Sequence, residues 1–183
     1  TVSYFKGKKA SQVTTCPVGE ITNENITARK PRNIVSGIIG KTSKLAIGEI
    51  KDNFPNIHVK ALTAAEIHFL STEYNLSYEE IIDMMISHGI DSMPGGGAEI
   101  FDEKVRKKIC GGKVTSEQWL EIHKLWHEKG KKSNATMLFG HVEDRNHRID
   151  HILRLRALQD ITGGFNAFIP LVYQTENNYL KVK

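Results

Sequence analysis

Ser77-Tyr78-Glu79-Glu80-Ile81-Ile82-Asp83-Met84-Met85-Ile86-Ser87-His88-Gly89-Ile90-Asp91-Ser92-Met93-Pro94-Gly95-Gly96-Gly97 is the stretch that decides the fold class. Ser77 followed three residues later by Glu80 is a capping box, in which each side chain satisfies a free backbone N–H of the other. Ile81, Ile82, Met85 and Ile86 then recur at helical spacing, and Gly89 supplies the usual C-terminal stop. Ile90–Pro94 reads as a short strand, and the glycine run after it as a loop. A helix feeding a strand that ends in a loop is half of an α/β repeat.

The same unit recurs on both sides. Upstream, His58-Val59-Lys60-Ala61-Leu62 reads as a strand and Ala64–Ser71 as a helix. Downstream, a short helix is predicted from Asp102 to about Ile109. Thr115 and Gln118 form a second capping box, and its helix runs to Lys129 and stops at Gly130, with Trp119, Ile122 and Trp126 on one face. Asn134–Phe139 is a strand, and a long helix spans Asp144–Ile161 with Ile149, Ile152, Leu153 and Leu158 inward. Gly163-Gly164 ends it, and Phe165–Val172 is a last strand. Strand–helix alternation predicts an α/β domain with a parallel sheet, as an open sheet or a partial barrel.

The chain has 183 residues, of which 39% are hydrophobic and 25% charged, a globular composition. No apolar run approaches the roughly 18 residues of a membrane span, and no signal-type segment is visible. Only Cys16 and Cys110 are present, which excludes a disulfide scaffold and favours a cytoplasmic setting. The net charge of +4 and pI near 9.0 are unevenly placed. Residues 1–50 hold eight Lys/Arg and three Asp/Glu, whereas residues 51–183 hold 17 and 18. We expect two parts: a basic stretch over 1–50, where Ile34-Val35-Ser36-Gly37-Ile38-Ile39 is a glycine-interrupted strand candidate, and an α/β part over 51–183.

Active groups of such sheets gather at the C-terminal strand ends. That rim would hold Thr63 and Glu66, Gly95–Glu99, Gly140-His141-Val142-Glu143, and Tyr173, Gln174 and Glu176. The glycine run lacks the Gly-Lys-Ser/Thr of a phosphate loop, so it reads either as close approach to a ligand or as a tight turn. His123 with His127, and His147 with His151, stand at i, i+4. That spacing suits a metal, but Lys124 replaces the metalloprotease glutamate, and packing on an amphipathic surface accounts for them better. Arg154 suits a carboxylate, Arg156 a solvated face with Asp150 and Asp160, and Cys110 a plain thiol.

Several segments together resemble the aminofutalosine synthase family. They are Phe54–Ile67, Ser92-Met93-Pro94-Gly95-Gly96-Gly97-Ala98-Glu99-Ile100-Phe101 with Val105–Cys110, Ser133–Glu143, Leu153–Phe165 and Ala167–Leu171. The resemblance covers about residues 51–178 and leaves the first 50 unmatched. It implies a partial (β/α) barrel of the radical S-adenosylmethionine (SAM) type, here cut to about four strand–helix units. It also implies a transferase of the futalosine route to menaquinone, which adds an adenosyl radical to 3-[(1-carboxyvinyl)oxy]benzoate. The pathway's cyclase and the deazaflavin synthase subunit share parts of the pattern.

By position, the family would place S-adenosylmethionine near Glu66, Glu99, Asn134, Thr136 and Arg154, and substrate near His141 and Glu143. It would also hold a 4Fe-4S cluster in a Cys-x3-Cys-x2-Cys loop that this sequence lacks. The expectation is thus a central portion of such an enzyme, with little activity alone and no metal ligands of its own. Small-molecule substrates are expected, without membrane and without nucleic acid, and the sequence does not fix an oligomeric state. A metal hydrolase using the histidine pairs and a binding protein with a basic arm are the other readings.

Overall fold

The computed structural model describes residues 49–176 and 180. The glycine-interrupted candidate at Ile34–Ile39 and Cys16 lie outside them. The elements, in order, are α1 (Glu49–Asn53), α2 (Ala64–Tyr74), α3 (Tyr78–Ser87), β1 (Ser92–Met93), α4 (Glu103–Cys110), α5 (Ser116–Glu128), β2 (Lys132–Phe139), α6 (Arg145–Thr162) and β3 (Phe165–Val172).

Helix starts follow from local chemistry. Reciprocal boxes close α2 (Thr63/Glu66), α3 (Ser77/Glu80), α5 (Thr115/Gln118) and α6 (Asp144/His147), and the Asp102 carboxylate caps α4. Each cap contributes about 1 kcal/mol. Burial contributes more, about 1.5–3 kcal/mol for each large apolar side chain. Ile67, Ile81, Ile82, Met85, Trp119, Ile122 and Trp126 from the helices pack as one cluster with Val59, Met93 and Ala135 from the sheet side. The helical stripes therefore fix the layer, and the caps fix where each helix begins.

The sheet is parallel in the order β1-β2-β3, and Lys60 adds a single parallel bridge to Ser92. The strand expected over His58–Leu62 is thus reduced to one residue. Val59 N–H is taken by the Asp91 carboxylate at 2.8 Å, and Leu62 turns to φ +58°, so the ladder cannot extend either way. The strand expected over Ile90–Pro94 is reduced to Ser92–Met93, because proline has no N–H to donate. β2 starts two residues earlier than expected and β3 matches its expected span.

Alternation sorts β2 into two faces. Ser133, Ala135 and Met137 are buried toward the helices, whereas Asn134, Thr136 and Leu138 are half-buried on the opposite face. In α6, His151, Leu155 and Leu158 form the buried stripe. Ile149, Ile152 and Leu153, expected inward, are instead 44%, 45% and 59% exposed. A straight helix can press only one stripe on a sheet, and these residues lie on the flank beside that stripe. Phe168, Ile169, Leu171 and Val172 on β3 are also exposed. Among the described residues, no helix is long and apolar enough to cross a membrane.

Candidate functional site

The glycine loop after β1 lies hard against β2. A Cβ on Gly95 would come within 2.7 Å of Asn134 O and 2.9 Å of Thr136 Cγ2, and one on Gly96 within 2.9 Å of Thr63 Cγ2. Thr136 Oγ1 donates to Gly95 O at 2.6 Å. The missing side chains thus let backbone approach backbone, which is the tight-turn reading of Gly95-Gly96-Gly97.

Arg106, on α4, organises this loop. Its guanidinium is buried and donates to Ala98 O (2.5 Å), Ile100 O (3.1 Å), Gly97 O (3.1 Å) and Val114 O. Four carbonyls compensate the desolvation of a charge that would otherwise be costly to bury. Sequence reasoning missed this role. Arg106 stands among Lys104, Lys107 and Lys108, and its acceptors are irregular loop carbonyls with no sequence signature.

The residues singled out from the sequence fall into three groups. Glu99, His141 and Glu143 come together at the C-terminal end of β2 around Leu138, whereas Asn134 and Thr136 lie lower on the strand against Gly95. Glu99 takes a left-handed φ of +46°; its carbonyl accepts from Leu138 N at 2.7 Å and its carboxylate lies 3.2 Å from Lys113 Nζ. Asn134 is half-buried beside Gly95, with no hydrogen bond from its amide to any described residue. Glu143 accepts from Gly140 N (2.7 Å), His141 N (2.8 Å) and Arg148 Nε (2.8 Å). Burial alone would raise its carboxyl. The backbone N–H donors outweigh burial and hold it below the ordinary carboxylate range. His141 Nε2 donates to Leu138 O (3.0 Å), and its Nδ1 accepts from Val142 N (2.8 Å). This pair folds the turn between β2 and α6.

Glu66 lies next to the glycine loop, through Thr63, and accepts from Thr63 N at 2.7 Å. Arg154 sits apart in the helix layer, donating to Glu117 Oε1 (2.8 Å), Ser116 Oγ (3.2 Å) and Phe101 O (3.3 Å). Arg156 is exposed and lies 3.5 Å from Asp160, on a solvated face as expected.

The histidines correct the surface-packing expectation. His123, His127 and His151 are buried. Thr162 Oγ1 donates to Leu158 O (2.9 Å), so His127 Nδ1–H donates to Thr162 (2.8 Å). His127 Nε2 then accepts from Ser133 Oγ–H (2.7 Å), and His123 Nδ1–H donates to Ser133 Oγ (2.8 Å). Burial, with Lys132 nearby, pushes His127 down to about 4. Burial and then His127 push His123 well below its ordinary value. His151 Nε2 donates to Thr136 O (2.9 Å), its ring stacks on Phe101, and burial holds it at about 4. The i, i+4 spacing therefore reports helix faces turned to the core. His147 is taken by the cap of α6.

Among the described residues, no three His, Cys, Asp or Glu side chains converge as metal ligands. Cys110 is half-buried and burial raises its thiol. With two cysteines in the whole sequence, the residues present do not fit a three-thiolate cluster. An apolar groove of about 450 Å³ lies between α6 and β3, lined by Ala135, Ile152, Leu155, Phe165 and Phe168. Arg156 and Asp160 also line it, whereas Glu66, Glu99, Asn134, Thr136, His141, Glu143 and Arg154 do not.

Comparison with known proteins gives the family and several relatives. The Radical SAM superfamily model matches residues 25–155, beginning upstream of the boundary read at residue 50. The chain is 55% identical over 131 residues to an aminodeoxyfutalosine synthase of Thermus thermophilus, covering 72% of this chain and 35% of that protein. It is 50% identical over 129 residues to the aminodeoxyfutalosine synthase of Streptomyces coelicolor, covering 70% and 33%. A cyclic dehypoxanthine futalosine synthase of the same organism is 43% identical over 132 residues, covering 72% and 33%. The chain thus spans about a third of the length of these relatives.

Proposed function

This chain belongs to the radical SAM superfamily, and on that premise we propose that it forms the central part of an aminodeoxyfutalosine synthase. In this reading the whole enzyme adds the adenosyl radical of S-adenosylmethionine to 3-[(1-carboxyvinyl)oxy]benzoate, in the futalosine route to menaquinone. The cluster that generates the radical would be held by cysteines this sequence does not contain.

The observation that carries the reading is the seating of the glycine loop on β2. It leaves the half-buried Asn134 amide just past the end of β1 and the Glu99 carbonyl against Leu138 near the C-terminal end of β2, the end at which (β/α) folds bind ligands. Asn134 and Thr136 would line the S-adenosylmethionine site from β2, and Glu99 would offer acceptors to a ribose or an ammonium. Glu66 would flank the loop, and His141 and Glu143 would shape the substrate end. Arg154, engaged by Glu117, would act by fixing the loop at Phe101. The exposed edge of β3 and the uncovered flank of α6 support a larger parallel barrel, whose further strands would pair with β3.

The test is calorimetric titration of the full chain with S-adenosylhomocysteine. Saturable binding that weakens at least tenfold in Glu99→Gln and Asn134→Leu is expected. No binding by the native chain, or variants that bind equally well, would sink the reading.

A further inference from the structure

We propose that Arg106 is a positioning residue for the ligand that the Glu99 carboxylate holds, and that it acts through the backbone of Glu99. This rests on the reading of Glu99 as a ligand group given above. Glu99 stands at φ +46°, where the Cβ of an L residue crowds the following carbonyl. Among the described residues, the other non-glycine positions with positive φ are Leu62 and Asn75. Asn75 is the C-cap of α2, a usual place for that conformation. Glu99 caps no helix, since the cap of α4 is Asp102, so its strained backbone persists only because its surroundings enforce it.

One guanidinium supplies most of that enforcement. Arg106 Nη1 donates to Ala98 O (2.5 Å) and to Ile100 O (3.1 Å), the carbonyls on either side of Glu99. The Glu99 carbonyl between them accepts from Leu138 N on β2 (2.7 Å). Three successive carbonyls are thus fixed, and Ala98 and Ile100 are themselves buried. The Glu99 carboxylate leads out of this frame to Lys113 Nζ at 3.2 Å, in a partly exposed pair. Arg106 Nη2 anchors that partner as well, because it donates to Gly97 O (3.1 Å) and to Val114 O, the residue after Lys113. A partly exposed ion pair is weak, so a ligand takes the carboxylate from Lys113 at small cost. Shape matters here as much as charge. The planar arginine fork sends donors along several fixed directions, whereas a lysine ammonium is one point on a flexible stem. Arg106→Lys therefore keeps the buried charge and part of the loop order, but it does not bridge all four carbonyls. A binding group works within about 0.5 Å of one geometry, so losing the bridge is read as lost affinity.

The test is a double-mutant cycle on the full chain, with S-adenosylhomocysteine binding read by calorimetry and folding by tryptophan fluorescence. Arg106→Lys is expected to weaken binding roughly fivefold or more, and Glu99→Gln at least tenfold. The double variant should bind within about twofold of Glu99→Gln alone, because Arg106 acts through that carboxylate. A merely structural role would weaken both backgrounds alike. Native affinity in Arg106→Lys, or losses that multiply in the double variant, overturns the proposal. Should Arg106→Lys fail to fold, 15N NMR of the native chain decides. The Arg106 Nη protons should be resolved by restricted rotation and should shift when S-adenosylhomocysteine binds. Rotationally averaged Nη signals, or signals that the ligand does not move, overturn the proposal. A native chain that does not bind the probe, or binds it equally well in Glu99→Gln, overturns the proposed function and this inference with it. Binding that depends on Glu99 but not on Arg106 overturns this inference alone.

Discussion

Mild acid should destabilise this fold through its buried histidines, well before its carboxylates respond. His127 and His151 sit at about 4 in the folded protein against an ordinary value of 6.5. The folded state therefore keeps them neutral where the unfolded chain takes up protons, and stability falls as pH drops from about 6.5 towards 4. Between pH 7.5 and pH 5 each histidine costs about 2 kcal/mol, and the two together about 4 kcal/mol. His123, also held low, adds in the same direction. Glu143 and Glu117, held below their ordinary 4.5, and Asp91, below 3.8, contribute mainly at lower pH.

Urea unfolding followed by tryptophan fluorescence measures this directly, because Trp119 and Trp126 are buried and Trp119 stacks on His123. With a slope near 2 kcal/mol/M, the midpoint should fall by roughly 2 M between pH 7.5 and pH 5. His151→Gln should remove roughly 1 M of that midpoint shift, although it lowers stability at pH 7.5. Equal midpoints at the two pH values, or a variant that keeps the full dependence, would refute the reasoning.

Three further outcomes follow from the loop and turn contacts. Gly95→Ala must push its Cβ away from Asn134 O at 2.7 Å, and thermal melts should show a loss of about 2 kcal/mol or more. Arg106→Met leaves buried carbonyls without donors and should cost about 3 kcal/mol or more, with faster proteolysis in the 95–101 loop and partial recovery in Arg106→Lys. Glu143→Gln should cost about 1–2 kcal/mol at pH 7. Because the Glu143 carboxyl is held below 4.5, its contribution is present above that pH and lost as pH falls through its folded value. The wild-type advantage over the variant should therefore shrink in acid unfolding curves.

Most helices were legible because their signals are local, although α1 was not read and α2 runs to Tyr74, beyond the expected Ser71. Thr63, Ser77, Thr115 and Asp144 cap within three residues of their partners. The Trp119, Ile122 and Trp126 stripe is a property of one helix. The first two strands were less legible: Asp91 takes the Val59 N–H from 32 residues away, and Pro94 ends β1. The candidate site was legible as a rim of loops, but Arg106 was not, since its acceptors converge only after α4 folds over the loop.

The sequence by itself determined the alternation of strand and helix, the parallel sheet, most helix starts and the family. Periodicity, caps and contiguous motifs require only neighbouring residues. Only the tertiary structure decided that three histidines are core groups, that the glycine run serves strand packing, and that Ile149, Ile152 and Leu153 lie on an uncovered flank. Those outcomes depend on which surface each element meets, and a helix with two apolar flanks does not say which of them its sheet will cover.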